Sequence, residues 1–140
     1  MSKEDNVRFR HAEREASFTI DADQARRWVQ ISIVGTWTIS IAEQHRAALL
    51  KVATSLDAEA ARSFWLVDLR ERLAHPKEVA DYIGGSIAKV TSDSRHVVAL
   101  VLGTAIAGLQ AKRLSAGEVI RAFPSYAEAE RWLEEQQASA

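Results

Sequence analysis

The chain of 140 residues contains no cysteine. Disulfides, thiolate chemistry and cysteine-ligated metal sites are therefore excluded. Because disulfides belong to oxidising compartments, this composition fits a cytoplasmic protein. The length is that of one domain.

The chain also lacks a long apolar run and an excess of charge of either sign. Its longest apolar stretch, residues 97–109, is too short to cross a bilayer and is interrupted by Gly103 and Gly108. The first 15 residues are charged throughout, so we expect no secretory signal. The formal net charge is -1, which gives no basic field for nucleic acid. We predict a cytoplasmic protein with no transmembrane segment and no nucleic-acid partner.

Motifs for catalysis and for phosphate binding are missing as well. The sequence has no GxSxG elbow, no GxxxxGK[ST] loop and no GxGxxG turn. Its histidines, His11, His45, His75 and His96, have no metal-ligand spacing. His45 falls on the apolar stripe of a predicted helix, which indicates a core histidine bonded to the backbone. We predict no catalytic residue, no cofactor and no metal.

The apolar pattern predicts alternating strands and helices after an initial hairpin. Residues 18–21 and 29–33 alternate with period two, as half-buried strands do. Residues 63–69 and 96–102 are continuously apolar, as strands covered on both faces are. Ser40 and Ser125 are the predicted helix caps, and Pro76 suits a first helical turn. The predicted helices cover residues 40–56, 76–90, 104–114 and 125–136, and the last strand covers residues 118–123.

This order predicts an α/β fold with a single mixed, mainly parallel five-stranded sheet and four helices, in the order ββαβαβαβα. We expect residues 1–15 to form a polar N-terminal tail and residues 16–140 to form the domain.

Three stretches of the sequence resemble the STAS domain, and more closely its SpoIIAA-like branch, which is also compared with the CRAL-TRIO lobe. They are VQISIVGTWTISIAEQHRAALL (29–50), FWLVDLRERL (64–73) and VIRAFPSYAEAERWL (119–133). The resemblance spans about residues 16–136. It implies a SpoIIAA-like fold and a regulatory role through a protein partner.

The resemblance does not extend to the phosphorylation switch of the family. STAS anti-sigma-factor antagonists carry a phosphorylated serine at the start of the helix that follows the central strand. Residues 68–79, DLRERLAHPKEV, contain no Ser, Thr or Tyr. A regulatory role here would therefore work without phosphorylation at that position.

Partners and ligands of open parallel sheets bind beyond the carboxyl ends of the strands. Arg70 or Arg72 could pair there with a carboxylate or phosphate. In the alternative interpretation, residues 70–73 form a polar loop that Asp68 anchors by hydrogen bonds. The predicted binding residues at this edge are Trp37, Asp68, Arg70, Arg72, Gly103 and Thr104.

Two functions are compatible with these patterns. The first is a non-catalytic regulatory or protein-interaction module, which binds a protein partner or forms a homodimer through the hairpin edge. Trp28 and Trp37, expected to be half covered, favour it, because tryptophan is common at binding interfaces. The alternative is a carrier or sensor of a small apolar, lipid-like ligand, held in a cavity near the paired glycines 84–85 and Gly108. A third hypothesis is a small enzyme that uses Asp68 and Arg70.

Overall fold

A single sheet of six strands runs through the molecule. The computed structural model describes residues 6–57, 61–72, 75–91, 96–102 and 120–139. The strands are β1 (Asn6–Glu13), β2 (Ala16–Asp23), β3 (Trp28–Val34), β4 (Ser63–Asp68), β5 (His96–Val101) and β6 (Ile120–Phe123). The helices are α1 (Ile39–Asp57), α2 (Lys77–Thr91) and α3 (Tyr126–Ala138).

The strands lie in chain order across the sheet. β1, β2 and β3 form an antiparallel meander, and β3, β4, β5 and β6 are parallel neighbours. In the centre, β4 pairs with β5 so that Phe64 lies opposite Val97 and Leu66 lies opposite Ala99. The predicted mixed, mainly parallel sheet is confirmed.

The sheet has one strand more than we predicted, because residues 6–13 form β1 and not a polar tail. Val7 and Phe9 are partly buried and pack on the core, whereas Arg8 and Arg10 are exposed. This is the alternation of a half-buried strand. It is hidden in the sequence by the many charged residues on its outer face. A tight turn at Arg14, whose φ is 58°, joins β1 to β2.

The helices begin close to the predicted positions. α2 starts at Lys77, directly after Pro76. Ser125 caps α3, since its Oγ accepts the N–H of Glu128 at 3.3 Å. The predicted cap Ser40 is wrong, because it lies inside α1, and Thr38 Oγ1 accepts the N–H of Ile41 instead. The predicted helix over residues 104–114 lies outside the described residues.

Each face of the sheet carries its own apolar core. Residues such as Ile20, Ile41 and Ile83 join α1 and α2 to one face, and Phe64 and Leu133 belong to the core between α3 and the other face. β4 and β5 are covered on both sides, which explains their continuous apolar sequences.

A buried chain of hydrogen bonds joins the amino ends of β4 and β5. Trp65 Nε1 donates to Ser63 Oγ at 2.8 Å, and Ser63 Oγ also contacts His96 Nδ1. An indole nitrogen can only donate, so the Ser63 hydroxyl accepts from Trp65 and forms a second hydrogen bond with His96. Ser63 is fully buried, which makes it a structural residue and not a nucleophile open to substrate.

Removing the Ser63 hydroxyl should destabilise the protein. In a Ser63→Ala variant, the Trp65 N–H and His96 Nδ1 lose this partner in the interior. We expect the free energy of unfolding in urea to fall by about 1–3 kcal/mol. Ser32→Ala, a serine on β3 that is only half-buried, is the matched control and should change it by less than about 0.5 kcal/mol. Equal losses in the two variants would contradict this account.

Candidate functional site

The carboxyl ends of β3 and β4 are held together beyond the strands themselves. Gly35 and Arg72 form an isolated parallel bridge, in which the Gly35 N–H donates to the Glu71 carbonyl at 2.9 Å. Gly35 has a φ of 78°, and a Cβ there would lie 2.7 Å from the Glu15 carbonyl oxygen. Only glycine fits this position without strain. The hydrogen bond from Gly35 to Glu71 joins the loop after β3 to the loop after β4.

Asp68 and Arg70 form a closed pair at this edge. Arg70 Nε donates to Asp68 Oδ1 at 2.9 Å, Nη2 donates to Oδ2 at 2.8 Å, and the Arg70 N–H also donates to Oδ1. Burial alone would raise the pKa of Asp68, but the hydrogen bonds and charge of Arg70 outweigh it, and the pKa lies below its ordinary value. Asp68 thus anchors the loop, and the guanidinium group of Arg70 is already paired with the Asp68 carboxylate. This pair is poorly suited to the acid–base role of the enzyme hypothesis.

The guanidinium of Arg70 also contacts α3. It lies 5.5 Å from the ring centroid of Tyr126, whose hydroxyl accepts a hydrogen bond from Gln30 at 2.9 Å. The first turn of α3, the loop after β4 and the outer face of β3 are therefore linked by one set of side chains.

Arg72 differs from Arg70 in its surroundings. Its side chain is half-buried, and it has no carboxylate partner among the residues that the structure describes. Burial lowers the pKa of Arg72, although arginine remains protonated at neutral pH. A charge that is partly removed from water without a counter-ion is unfavourable, so this position favours an anionic group from elsewhere.

Trp37 is a core residue and not a binding residue on the surface. It is 1% exposed, and Trp28 is 3% exposed, so the expectation that both are half covered is wrong. The Trp37 indole N–H donates to the carbonyls of Ser17 and Val34 at 3.3 and 3.2 Å. Its ring packs 5.0 Å from that of His45. The turn at Gly35 directs this side chain inward, which the sequence did not reveal.

His75 belongs to the same edge, and the sequence did not predict its contact. Its Nδ1 accepts the backbone N–H of Trp37 at 2.9 Å across a separation of 38 residues. The proton of the neutral ring therefore lies on Nε2, which is buried without a partner. Burial and the charge of Arg72 both lower the pKa of His75. The only local signal in the sequence is that His75 precedes Pro76. This favours an extended backbone at His75 but does not predict the contact with Trp37.

His45 is a core histidine, as predicted, but without the expected hydrogen bond at Nε2. It is 3% exposed, its ring packs edge-on against Phe18 at 5.1 Å, and Nε2 has no partner. Burial lowers its pKa to about 4.

The remaining predicted residues, Gly103 and Thr104, lie outside the described residues. Within the described part of the chain, no group of three or more His, Asp or Glu side chains is placed to hold a metal ion. In that same part, no helix is both long and apolar enough to cross a membrane.

The fold is similar to that of a solved structure. This is the crystal structure of an uncharacterized protein of the DUF3478 family with a SpoIIAA-like fold, from Shewanella loihica PV-4. The two chains are 16% identical with a TM-score of 0.54, over 95% of this chain and 98% of that chain. The likeness confirms the predicted SpoIIAA-like fold. No protein-family model and no curated protein matches the sequence.

The buried His45 should make stability depend on pH. In the unfolded chain a histidine binds a proton below about pH 6.5, whereas the pKa of folded His45 is about 4. The unfolded state therefore binds more protons between these values, and stability falls as the pH drops from 6.5 to 4. We expect His45 to account for about 3 kcal/mol of this loss.

Urea unfolding of a His45→Leu variant at several pH values tests this. The variant should lose much less stability than the wild type between pH 6.5 and 4. The stability of the variant should still fall with pH, but less steeply, because His75 remains and its pKa is also lowered. His11→Gln, at a half-exposed position on β1, is the control. If His45→Leu follows the wild-type pH profile, the buried neutral state of His45 is wrong.

Proposed function

We propose that the protein is a non-catalytic regulatory or interaction module of the cytoplasm, and that it binds a protein partner through the carboxyl ends of β3 and β4. The observation that carries this proposal is the half-buried Arg72 without a carboxylate partner in the described part of the chain. A partner's Asp or Glu would complete the pair through two parallel hydrogen bonds. Arginine is enriched among residues that dominate binding energy.

The backbone around Arg72 supports the proposal because it is already ordered. The Arg72 N–H donates to the Leu69 carbonyl at 3.1 Å, and the preceding residue, Glu71, accepts from Gly35. A binding residue on a fixed main chain loses less conformational entropy on association than one in a loose loop.

Regulation in this proposal does not use phosphorylation of the loop after β4. Residues 68–79 contain no hydroxyl side chain, so the family switch has no acceptor here. Control of binding would instead come from the partner, for example through its own charge or abundance.

The alternative of an apolar ligand carrier receives less support. Gly84 and Gly85 are exposed, and a Cβ at either position would meet open space. These glycines therefore face away from the sheet and do not enlarge an interior cavity beside it. Gly108, the other glycine of that hypothesis, lies outside the described residues.

A homodimer through the sheet edge is also less favoured than a different protein partner. The edge strand on the side of the hairpin is β1, and its exposed face carries Arg8 and Arg10. Two copies that pair antiparallel about Phe9 would place Arg8 opposite Arg10, and pairing about Arg10 would place Arg10 opposite itself. Like charges in these positions oppose association, as is common at natural sheet edges.

Substitution of Arg72 should weaken partner binding. Tagged protein is expressed in its own host, and cross-linked partners are quantified by mass spectrometry for wild type, Arg72→Ala and Arg70→Ala. We expect Arg72→Ala to reduce recovery of at least one specific partner by roughly tenfold, which corresponds to about 1.4 kcal/mol.

Arg70→Ala is the matched control, because Arg70 is already paired with Asp68. It should retain most of that partner. Circular dichroism of both variants checks that the fold persists. The proposal is wrong if Arg72→Ala recovers the same partners in the same amounts as the wild type, or if only Arg70→Ala loses them.

A further inference from the structure

A cavity lies at the opposite end of β3 from Arg72, on the strands that form the antiparallel meander. Its volume is about 360 Å³, within the usual range for small-molecule pockets. The polar and aromatic residues that line it are Arg8, Asp21, Asp23, Arg26, Trp28 and Gln30.

Trp28, which lines this cavity, carries an unsatisfied donor. It is 3% exposed, and its Nε1 is buried without a hydrogen-bond partner in the part of the chain that the structure describes. A buried indole N–H normally donates a hydrogen bond, and a buried donor without an acceptor costs about 1–3 kcal/mol of stability. The other two indoles with assigned bonds, Trp37 and Trp65, donate to protein oxygens. The Trp28 N–H therefore lacks an acceptor that a ligand oxygen would provide.

Arg26 supplies an unpaired cation beside the same ring. Its guanidinium carbon lies 4.2 Å from the centroid of the Trp28 ring, and it has no carboxylate partner in the residues that the structure describes. Arg8, the other cation of the cavity, is already paired with Asp21. Arg26 is exposed, so its guanidinium is accessible to a carboxylate from solvent.

The rest of the lining offers acceptors. Among the described residues, the Asp23 carboxylate accepts one hydrogen bond, from the backbone N–H of Arg26 to Oδ1 at 3.2 Å, so its second oxygen is an available acceptor. Gln30 donates through Nε2 to Tyr126, so its Oε1 is an available acceptor. The cavity thus combines two donors for a carboxylate with acceptors for an ammonium group.

We propose that this cavity binds a free α-amino acid as a zwitterion. Its carboxylate accepts from Trp28 Nε1 and pairs with Arg26, and its ammonium group donates to Asp23 and Gln30. Arg26 and Asp23 select for opposite charges on one small molecule, which disfavours simple anions and simple cations. This site is separate from the proposed partner surface and does not depend on it.

Nuclear magnetic resonance of the indole N–H groups tests the proposal. Each of the twenty L-amino acids is titrated into ¹⁵N-labelled protein up to about 10 mM, with acetate and methylammonium as probes of single charge. Comparison with Trp28→Phe identifies the Trp28 resonance. We expect a saturable shift of that resonance with at least one amino acid, at least tenfold tighter than with acetate or methylammonium.

Two arginines that lie over aromatic rings provide the variants. Arg26→Gln should weaken amino-acid binding by about tenfold or more, since it removes the cation that faces the carboxylate. Arg46→Gln is the control, because Arg46 also lies over an aromatic ring, that of Tyr82, but outside the cavity. The proposal is overturned if no amino acid shifts the Trp28 resonance, if acetate binds as tightly, or if both variants weaken binding equally.

Discussion

The pairing of β4 with β5, two parallel strands buried on both faces, is the constraint on which the rest of the structure depends. Parallel neighbours need a crossover, and α2 supplies it between them. Apolar side chains on both faces also need cover, which α1 and α2 provide on one side and α3 on the other. Because every strand from β3 to β6 then points the same way, the loops that follow β3 and β4 meet at one edge.

Each end of this sheet has a set of polar groups that are satisfied by hydrogen bonds and a polar group that is not. Ser63, Trp65 and His96 close a hydrogen-bonded chain at the amino end, and Asp68 closes on Arg70 at the carboxyl end. A polar group without a partner among the described residues lies near each of these sets. It is the Arg72 guanidinium at the carboxyl end and the Trp28 indole N–H at the amino end. Since buried polar groups in folded proteins are nearly always paired, a partner near Arg72 or a ligand near Trp28 would supply hydrogen bonds that the described residues do not.

The SpoIIAA-like fold itself does not distinguish between a role in partner binding and a role in ligand binding. The similar structure shares 16% of its residues with this chain, and the common feature is the arrangement of strands and helices. Function depends on side chains at the strand ends, which such a likeness leaves unspecified. Residues 68–79 contain no Ser, Thr or Tyr, so this segment offers no hydroxyl for phosphorylation.

Local patterns were sufficient for the order of the strands along the chain from β2 to β6, the parallel centre and the positions of Pro76 and Ser125, because apolar periodicity and capping act over a few residues. They also placed Asp68, Arg70 and Arg72 together after β4. They missed β1, whose apolar positions are masked by charged neighbours. Whether Arg70 or Arg72 carries the free charge, and whether Trp37 points inward, depended on contacts with Asp68, Gly35, Ser17 and His75. The contacts of Trp37 with Ser17 and His75 join residues that are distant in the chain, so no local pattern encodes them. Asp68 and Arg70 are only two residues apart, but the sequence left open whether they pair or bind a partner.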